Sequence, residues 1–151
     1  MTSPLEPLLR ALEPASEANL APRLRFGLVC VERVGHLMEQ DDVLACLAAF
    51  RDRILRGAFE DALADASKVQ VLANSHQGSR SLDGVGHAAV SATYALAKAV
   101  AGQARQAAEY AAYAAVYGQG GYGATSDPAS FVPEQEWQAQ HLRNILQAVG
   151  E

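Results

Sequence analysis

Hydrophobic residues recur every three or four positions along most of this chain, which is the spacing of one face of an α-helix. The leucines between Leu5 and Leu12 predict a short helix that ends before Pro14. A second helix is predicted to carry Pro22 in its first turn, where proline is tolerated. The buried stripe of this second helix is expected to consist of Leu24, Leu28, Val31 and Leu37 or Met38.

The same periodicity continues through the next part of the chain. Asp41 and Asp42 form a helix start signal, because acidic side chains there can cap free N–H groups and complement the helix dipole. Helical spacing follows until Gly57, which is predicted to end this helix. A further helix is expected from Phe59 to about Leu72.

The second half of the chain is rich in alanine. The stretch Val85–Tyr117 predicts two helices that meet at Gly102, because a single helix of this length is unusual in a chain of this size. The glycine-rich segment Gly118–Pro128 is predicted to be a loop, and Pro133 with Glu134 to open the last helix.

No segment outside these helices shows the alternation of a β-strand. The pattern therefore predicts an all-α fold: a compact single-domain bundle of six to seven helices, with a central alanine-rich helix pair. This domain is expected to span residues 1–151, with residues 1–19 as a short N-terminal helical extension.

Composition and charge narrow the class of protein. A hydrophobic fraction of 50% and a charged fraction of 19% are typical of a globular protein. A signal sequence is not recognised at the N-terminus, and the uncharged run Val85–Ala97 is too short to span a membrane, so we expect a cytoplasmic protein. Cys30 and Cys46 are interpreted as buried thiols rather than a disulfide. The net charge of −5 and the scattered arginines argue against nucleic acid as a partner.

Motifs for catalysis or metal binding are not found in the sequence. The four histidines are dispersed, without the close spacing that a metal site needs. They are His36, His76, His87 and His141. Nucleophile motifs are missing too, and the Gly118–Gly123 segment lacks the lysine and serine of a phosphate-binding loop. We therefore expect a protein that is not an enzyme and that uses no metal or cofactor.

Aromatic and acidic residues are the candidates for a binding surface. Tyr110, Tyr113 and Tyr117 fall on one helix face, where they could form either an interface or a half-buried seam. Trp137 is expected to be largely buried against that tyrosine face. The acidic candidates for contact with a basic partner are Asp41, Asp42, Glu60, Asp61 and Asp65.

Several motifs together resemble the all-α immunity proteins of bacterial polymorphic-toxin systems. The alanine-rich segment is entered through Gly86-His87, and the last helix carries Glu134, Trp137 and Gln138. The likeness covers roughly residues 20–146 and includes an early helix with Cys30–Val34. It implies a non-enzymatic protein that binds and neutralises a cognate toxin. It also implies a second histidine in the alanine-rich helix, where this chain has Tyr94.

Three functional hypotheses follow. In the first, an acidic and aromatic surface covers the active site of a protein toxin, without nucleic acid or membrane as a partner. In the second, His87, Tyr94 and the C-terminal aromatic residues line the pocket of a small-molecule-binding or catalytic bundle. In the third, the ridge of Ala88, Ala92, Ala95 and Ala99 packs between copies of a homo-oligomer.

Overall fold

The computed structural model describes residues 4–13, 17–75 and 84–149, with the backbone alone for residues 17, 84–87 and 149. Those residues form eight α-helices and three short 3-10 turns, with no β-strand among them, so the all-α prediction is confirmed. The predicted count of six to seven helices is wrong. The helices are α1 Glu6–Leu12, α2 Leu20–Arg33, α3 Asp41–Leu55, α4 Phe59–Ala64, α5 Ala66–Ser75, α6 Gly84–Val100, α7 Ala104–Thr125 and α8 Val132–Val149.

One additional helix arises because the segment predicted as Phe59–Leu72 is divided at Asp65. In an unbroken helix the carbonyl of Asp61 would accept the N–H of Asp65. Here Arg53 of α3 donates to that carbonyl at 2.7 Å and also pairs with the Asp65 carboxylate. The N–H of Asp65 therefore turns to the carbonyl of Ala62 instead, and α4 ends there.

Two glycine positions explain where the alanine-rich half bends. Gly102 has a φ of 75° between α6 and α7, so the predicted division of this stretch into two helices is confirmed. The predicted loop after Tyr117 is wrong in its first part, because α7 continues to Thr125. The helical backbone of α7 is interrupted at Gly121, where φ is 69° and ψ is −159°, a conformation accessible almost only to glycine.

The centre of the bundle is a group of three helices rather than the predicted pair. α6 and α7 pack along each other, and α2 packs against both of them. At the closest approach of α2 and α6, a Cβ on Gly27 would lie 2.9 Å from the Cβ of Ala99. The alanine ridge of α6 is buried inside this core, with Ala88, Ala92, Ala95 and Ala99 at most 1% exposed. It is therefore used within the chain and not between copies.

The remaining helices surround this centre. α2 ends at Arg33, earlier than predicted, and Leu37 belongs to a separate 3-10 turn while Met38 is still buried. α3, α4 and α5 lie together on one side of the bundle, with α5 packed on α6. α8 packs mainly against α2, and α1 contacts α7 and α8.

Candidate functional site

A groove of about 420 Å³ lies open to solvent between α3 and α5. Its floor is formed by residues that belong to the core, and its walls by α3 on one side and α5 on the other. The lining side chains are mainly apolar: Ala45, Cys46, Ala49, Phe50, Ala62, Val69, Val71, Leu72 and Val100. The volume is within the range of about 300–1,000 Å³ that is typical of ligand-binding sites.

The two walls run antiparallel. At one end Arg53 of α3 pairs with Asp65 just before α5, and at the other end Asp42 and Ser75 both line the groove. α5 has 10 residues, so the groove is about 15 Å long. Val71 on the α5 wall is 68% exposed.

Three charged side chains line this groove: Asp42, Asp65 and Lys68. Asp42 is the second residue of α3, and its carboxylate accepts the N–H of Val43 at 2.8 Å. Cys46 of α3 also lines the groove, and partial burial raises the pKa of its thiol. That thiol is half-buried, whereas Cys30 is fully buried, so the expectation of two buried thiols holds only for Cys30.

Two stacked tyrosines, Tyr94 of α6 and Tyr110 of α7, lie beside the last turn of α5. Asn74, next to the groove residue Ser75, accepts a hydrogen bond of 3.0 Å from the hydroxyl of Tyr94. The ring of Tyr94 stacks on that of Tyr110, with centroids 5.5 Å apart, and Tyr110 is 37% exposed. Tyr94 is half-buried in this stack, so Tyr110 is its exposed member.

The predicted acidic residues do not form one patch. Asp41 and Asp42 begin α3, whereas Glu60 and Asp61 begin α4 beside the opposite end of α3. Arg53, near the far end of α3, donates a hydrogen bond to the carbonyl of Asp61. Twelve residues of helix separate Asp41 from Arg53, so the two acidic pairs lie about 18 Å apart. Of the five acidic candidates, Asp42 and Asp65 line the groove.

The predicted tyrosine face is only partly exposed. Tyr113 is half-buried and contacts Tyr117, with ring centroids 5.8 Å apart. Tyr117 is 7% exposed and packs edge-on against Tyr122. Tyr110 is therefore the member of the predicted trio that is available to a partner.

The motif in the last helix is organised around Arg33. Glu134 is 5% exposed, and both of its carboxylate oxygens accept hydrogen bonds from Arg33, at 2.8–3.2 Å. This hydrogen bond raises the pKa of Arg33. Gln138, one turn later, is 2% exposed and donates to the carbonyl of Ala108 at 3.0 Å. These residues connect α8 to α2 and α7.

Trp137 does not pack on the tyrosine face, so that expectation is wrong. Its ring is half-buried, with the guanidinium of Arg33 4.1 Å from its centroid and the ring of His141 at the same distance. Because Glu134 fixes Arg33 from the other side, the tryptophan completes the same cluster. The cluster is therefore a structural connection between helices.

A smaller polar cleft of about 210 Å³ adjoins this cluster, lined by Arg33, His36, Gln119 and Glu134 among others. Of the residues predicted for a His/Tyr-lined pocket, Tyr94 and Trp137 have separate surroundings: the hydroxyl of Tyr94 donates to Asn74, whereas the ring of Trp137 contacts Arg33 and His141. The backbone of Gly86 and His87 lies in the first turn of α6, and the His87 side chain is outside the described residues.

Sequence reasoning missed most of the groove. Ala45 and Ala49 are four positions apart on α3, and they could have been recognised as a small-residue wall beside the predicted acidic start. The sequence pattern did not indicate that Val71 and Lys68 line a groove, because their position depends on where α4 ends and α5 begins. Within the ranges that the structure covers, no group of three or more His, Cys, Asp or Glu side chains could hold a metal ion.

Comparison with protein families, with curated proteins and with solved structures finds nothing that matches this chain. Across the described helices, none is long and apolar enough to cross a membrane.

Proposed function

We propose that this protein is a non-enzymatic binding protein that neutralises a cognate bacterial toxin by covering part of its surface. The observation that carries the proposal is the open apolar groove between α3 and α5. The motif resemblance to toxin-immunity proteins supports the identity of the partner.

The composition of this surface is that of a protein interface. Such interfaces combine an apolar centre, aromatic residues and a polar rim, and they bury about 800 Å² on each partner. Here the groove supplies the apolar centre, Phe50 in its floor an aromatic ring, and Asp42, Asp65 and Lys68 part of the polar rim.

The test is a matched pair of substitutions on α3. Ala49 lines the groove, whereas Ala48 is equally exposed but does not line it. Ala49→Glu is expected to weaken capture of the partner from a native-host lysate at least about tenfold, because it places a charge in an apolar interface. Ala48→Glu is expected to retain capture. Circular dichroism of both variants checks that they are folded.

The captured protein must then behave as a toxin. Its expression alone is expected to stop growth, and co-expression with the wild-type chain or Ala48→Glu to restore growth. A captured protein that is harmless alone, or equal protection by Ala49→Glu, would overturn the proposal.

The alternative is a small-molecule-binding or catalytic bundle, and the polar cleft beside Arg33 and His36 is the observation that favours it. In that case native mass spectrometry of the protein from its own host would show a bound small molecule. Its loss in His36→Ala, with growth protection unchanged, would support this second function.

A further inference from the structure

The chain between the buried part of α7 and the buried part of α8 has no buried side chain. Residues 118–133 are all exposed or half-buried, whereas Tyr117 before them and Glu134 after them are buried. Gly118 and Gln119 at one end and Glu134 beyond the other end line the same polar cleft of about 210 Å³. This segment, which we call the flap, therefore leaves the bundle and returns to it at one place, as an Ω-loop does.

The polar groups of the flap bind one another. The carbonyl of Tyr122 accepts the hydroxyl of Thr125 at 2.9 Å, and the N–H and hydroxyl of Ser126 at 3.2 and 3.0 Å. The carboxylate of Asp127 accepts the N–H of Ala129 at 3.1 Å. Because these hydrogen bonds close within the flap, they do not attach it to the rest of the bundle.

The flap contacts the buried end of α7 through a tyrosine that remains mostly exposed. Tyr122 packs edge-on against Tyr117, with ring centroids 6.4 Å apart, yet it is 73% exposed. Directly after the flap, α8 is attached firmly, because Glu134 binds Arg33 and Gln138 donates to a carbonyl of α7. Segments with few buried apolar contacts open at a lower free energy than the helices that flank them.

Two glycines define the closed conformation of the flap. Gly121 has a φ of 69° and a ψ of −159°, which alanine adopts only at a high cost. A Cβ on Gly120 would lie 2.6 Å from the Cβ of Ala124, so the residues on the two sides of Gly121 are in close contact. Gly123 differs from both, because its φ is not positive and a Cβ there would meet no atom within 4 Å. The closed flap is thus a specific conformation that no buried side chain holds in place.

We infer that the flap opens as one unit, hinged at its two ends, while the helices before and after it remain docked. Opening removes Gln119 from the wall of the polar cleft and uncovers Arg33 and Glu134 to solvent. The flap is therefore a gate for this cleft. The inference goes beyond the proposed toxin binding and does not depend on it, because the cleft and the groove between α3 and α5 share no lining residue.

Hydrogen exchange measured by mass spectrometry tests the opening. Amides of residues 118–131 are expected to exchange about 100-fold or more faster than those of residues 108–117, at a rate that low urea does not change. Gly121→Ala strains the closed flap and is expected to speed its exchange about tenfold or more. Gly123→Ala favours the helical turn and is expected to slow it about threefold.

Gly27→Ala is the control for opening of the whole bundle. It disturbs the contact between α2 and α6, so it is expected to speed the exchange of residues 108–117 and to leave the exchange of the flap unchanged. The opposite effects expected for Gly121→Ala and Gly123→Ala keep the test decisive, since Gly123→Ala alone suffices if Gly121→Ala does not fold.

A thiol in the wall of the cleft tests what the opening uncovers. Ala115 lines the cleft, is 8% exposed and lies one turn before Gln119. In Ala115→Cys, alkylation of the introduced thiol by N-ethylmaleimide is expected to follow flap exchange, faster with Gly121→Ala and slower with Gly123→Ala. Cys30 is fully buried in the core and serves as the internal control for global unfolding.

Three results would overturn the inference. Flap amides as protected as residues 108–117, or flap exchange that accelerates with Gly27→Ala, would each show that the flap opens only when the whole bundle unfolds. An introduced thiol at position 115 that is alkylated only as slowly as Cys30, while the flap exchanges rapidly, would show that the flap does not gate the cleft.

Discussion

At the scale of single residues, Arg33 of α2 contacts two side chains of the last helix, Glu134 and Trp137. Glu134 is buried, and a buried carboxylate is costly unless a cation and hydrogen bonds compensate it. Arg33 supplies both, and its other face covers the ring of Trp137. The sequence motif around Trp137 therefore has a structural explanation that does not require a ligand.

This arrangement predicts unequal effects for two arginine substitutions. Arg33→Ala leaves the Glu134 carboxylate buried without its cation and is expected to lower the free energy of unfolding by about 2–3 kcal/mol, less than for a fully buried pair because Arg33 is partly exposed. Arg51→Ala removes an exposed pair with Glu32 and is expected to cost at most about 1 kcal/mol. Urea unfolding measures both, and equal costs would contradict this interpretation of the cluster.

At the scale of helices, the contact between α2 and α6 depends on the absence of a side chain at Gly27. A Cβ there would lie 2.9 Å from the Cβ of Ala99, closer than real Cβ atoms approach their neighbours, and 3.1 Å from its Cα, which is also a tight contact. α2 is central to the core, with Leu24, Phe26, Cys30 and Val31 fully buried. Neither helix can move aside without disturbing these residues.

We therefore expect Gly27→Ala to destabilise the protein by about 1–3 kcal/mol, although alanine favours a helix over glycine by about 1 kcal/mol. The double variant Gly27→Ala with Ala99→Gly restores the space and should recover most of the loss. Gly118→Ala is the matched control, because its Cβ would meet the flexible side chain of Leu37 instead. Thermal unfolding distinguishes them; a Gly27→Ala protein as stable as the wild type would show that the helices separate easily.

At the scale of the whole molecule, the first helix is held to the bundle by two kinds of contact. Leu9 and Leu12 are buried in the core, while Arg105 at the start of α7 binds both Glu6 and Glu13. Its Nη1 lies 2.7 Å from Glu6, and its Nε lies 2.6 Å from Glu13. Glu6 is the first residue of α1 and Glu13 directly follows its last residue, so one guanidinium binds both ends of this helix.

The Glu6 carboxylate makes this connection sensitive to acid. Its hydrogen bond with Arg105 lowers the pKa of Glu6 below the ordinary value of 4.5. A lowered folded-state pKa means that the contribution is complete above 4.5 and is lost as the pH falls through the lower value. The difference in melting temperature between wild type and Arg105→Gln should therefore be present at neutral pH and decrease as the pH falls below 4.5.

The control for this titration is Arg56→Gln, which removes the exposed Arg56–Asp52 pair within α3. Its effect on the melting temperature is expected to be small at every pH, because such i, i+4 pairs contribute little. A stability gap for Arg105→Gln that stays constant to pH 3 would show that Glu6 does not contribute through its charge.

The sequence by itself determined the helical class and most helix starts, because these depend on local periodicity, capping residues and proline. It also located the bend at Gly102, where a glycine interrupts an alanine-rich stretch. It placed Glu134, Trp137 and Gln138 in one motif. It could not say that Glu134 and Trp137 share Arg33 as their partner, 101 residues away from Glu134 in the chain, or that Gln138 binds the carbonyl of Ala108.

Only the tertiary structure decided the division at Asp65, because a side chain from another helix, Arg53, takes the carbonyl that would have continued the turn. That division sets the position of α5, and with it the exposure of Val71 and the width of the groove. It likewise decided that Trp137 lies against Arg33 and not against the tyrosines. Local spacing determines which face of a helix is apolar, whereas long-range contacts determine which residues that face packs against.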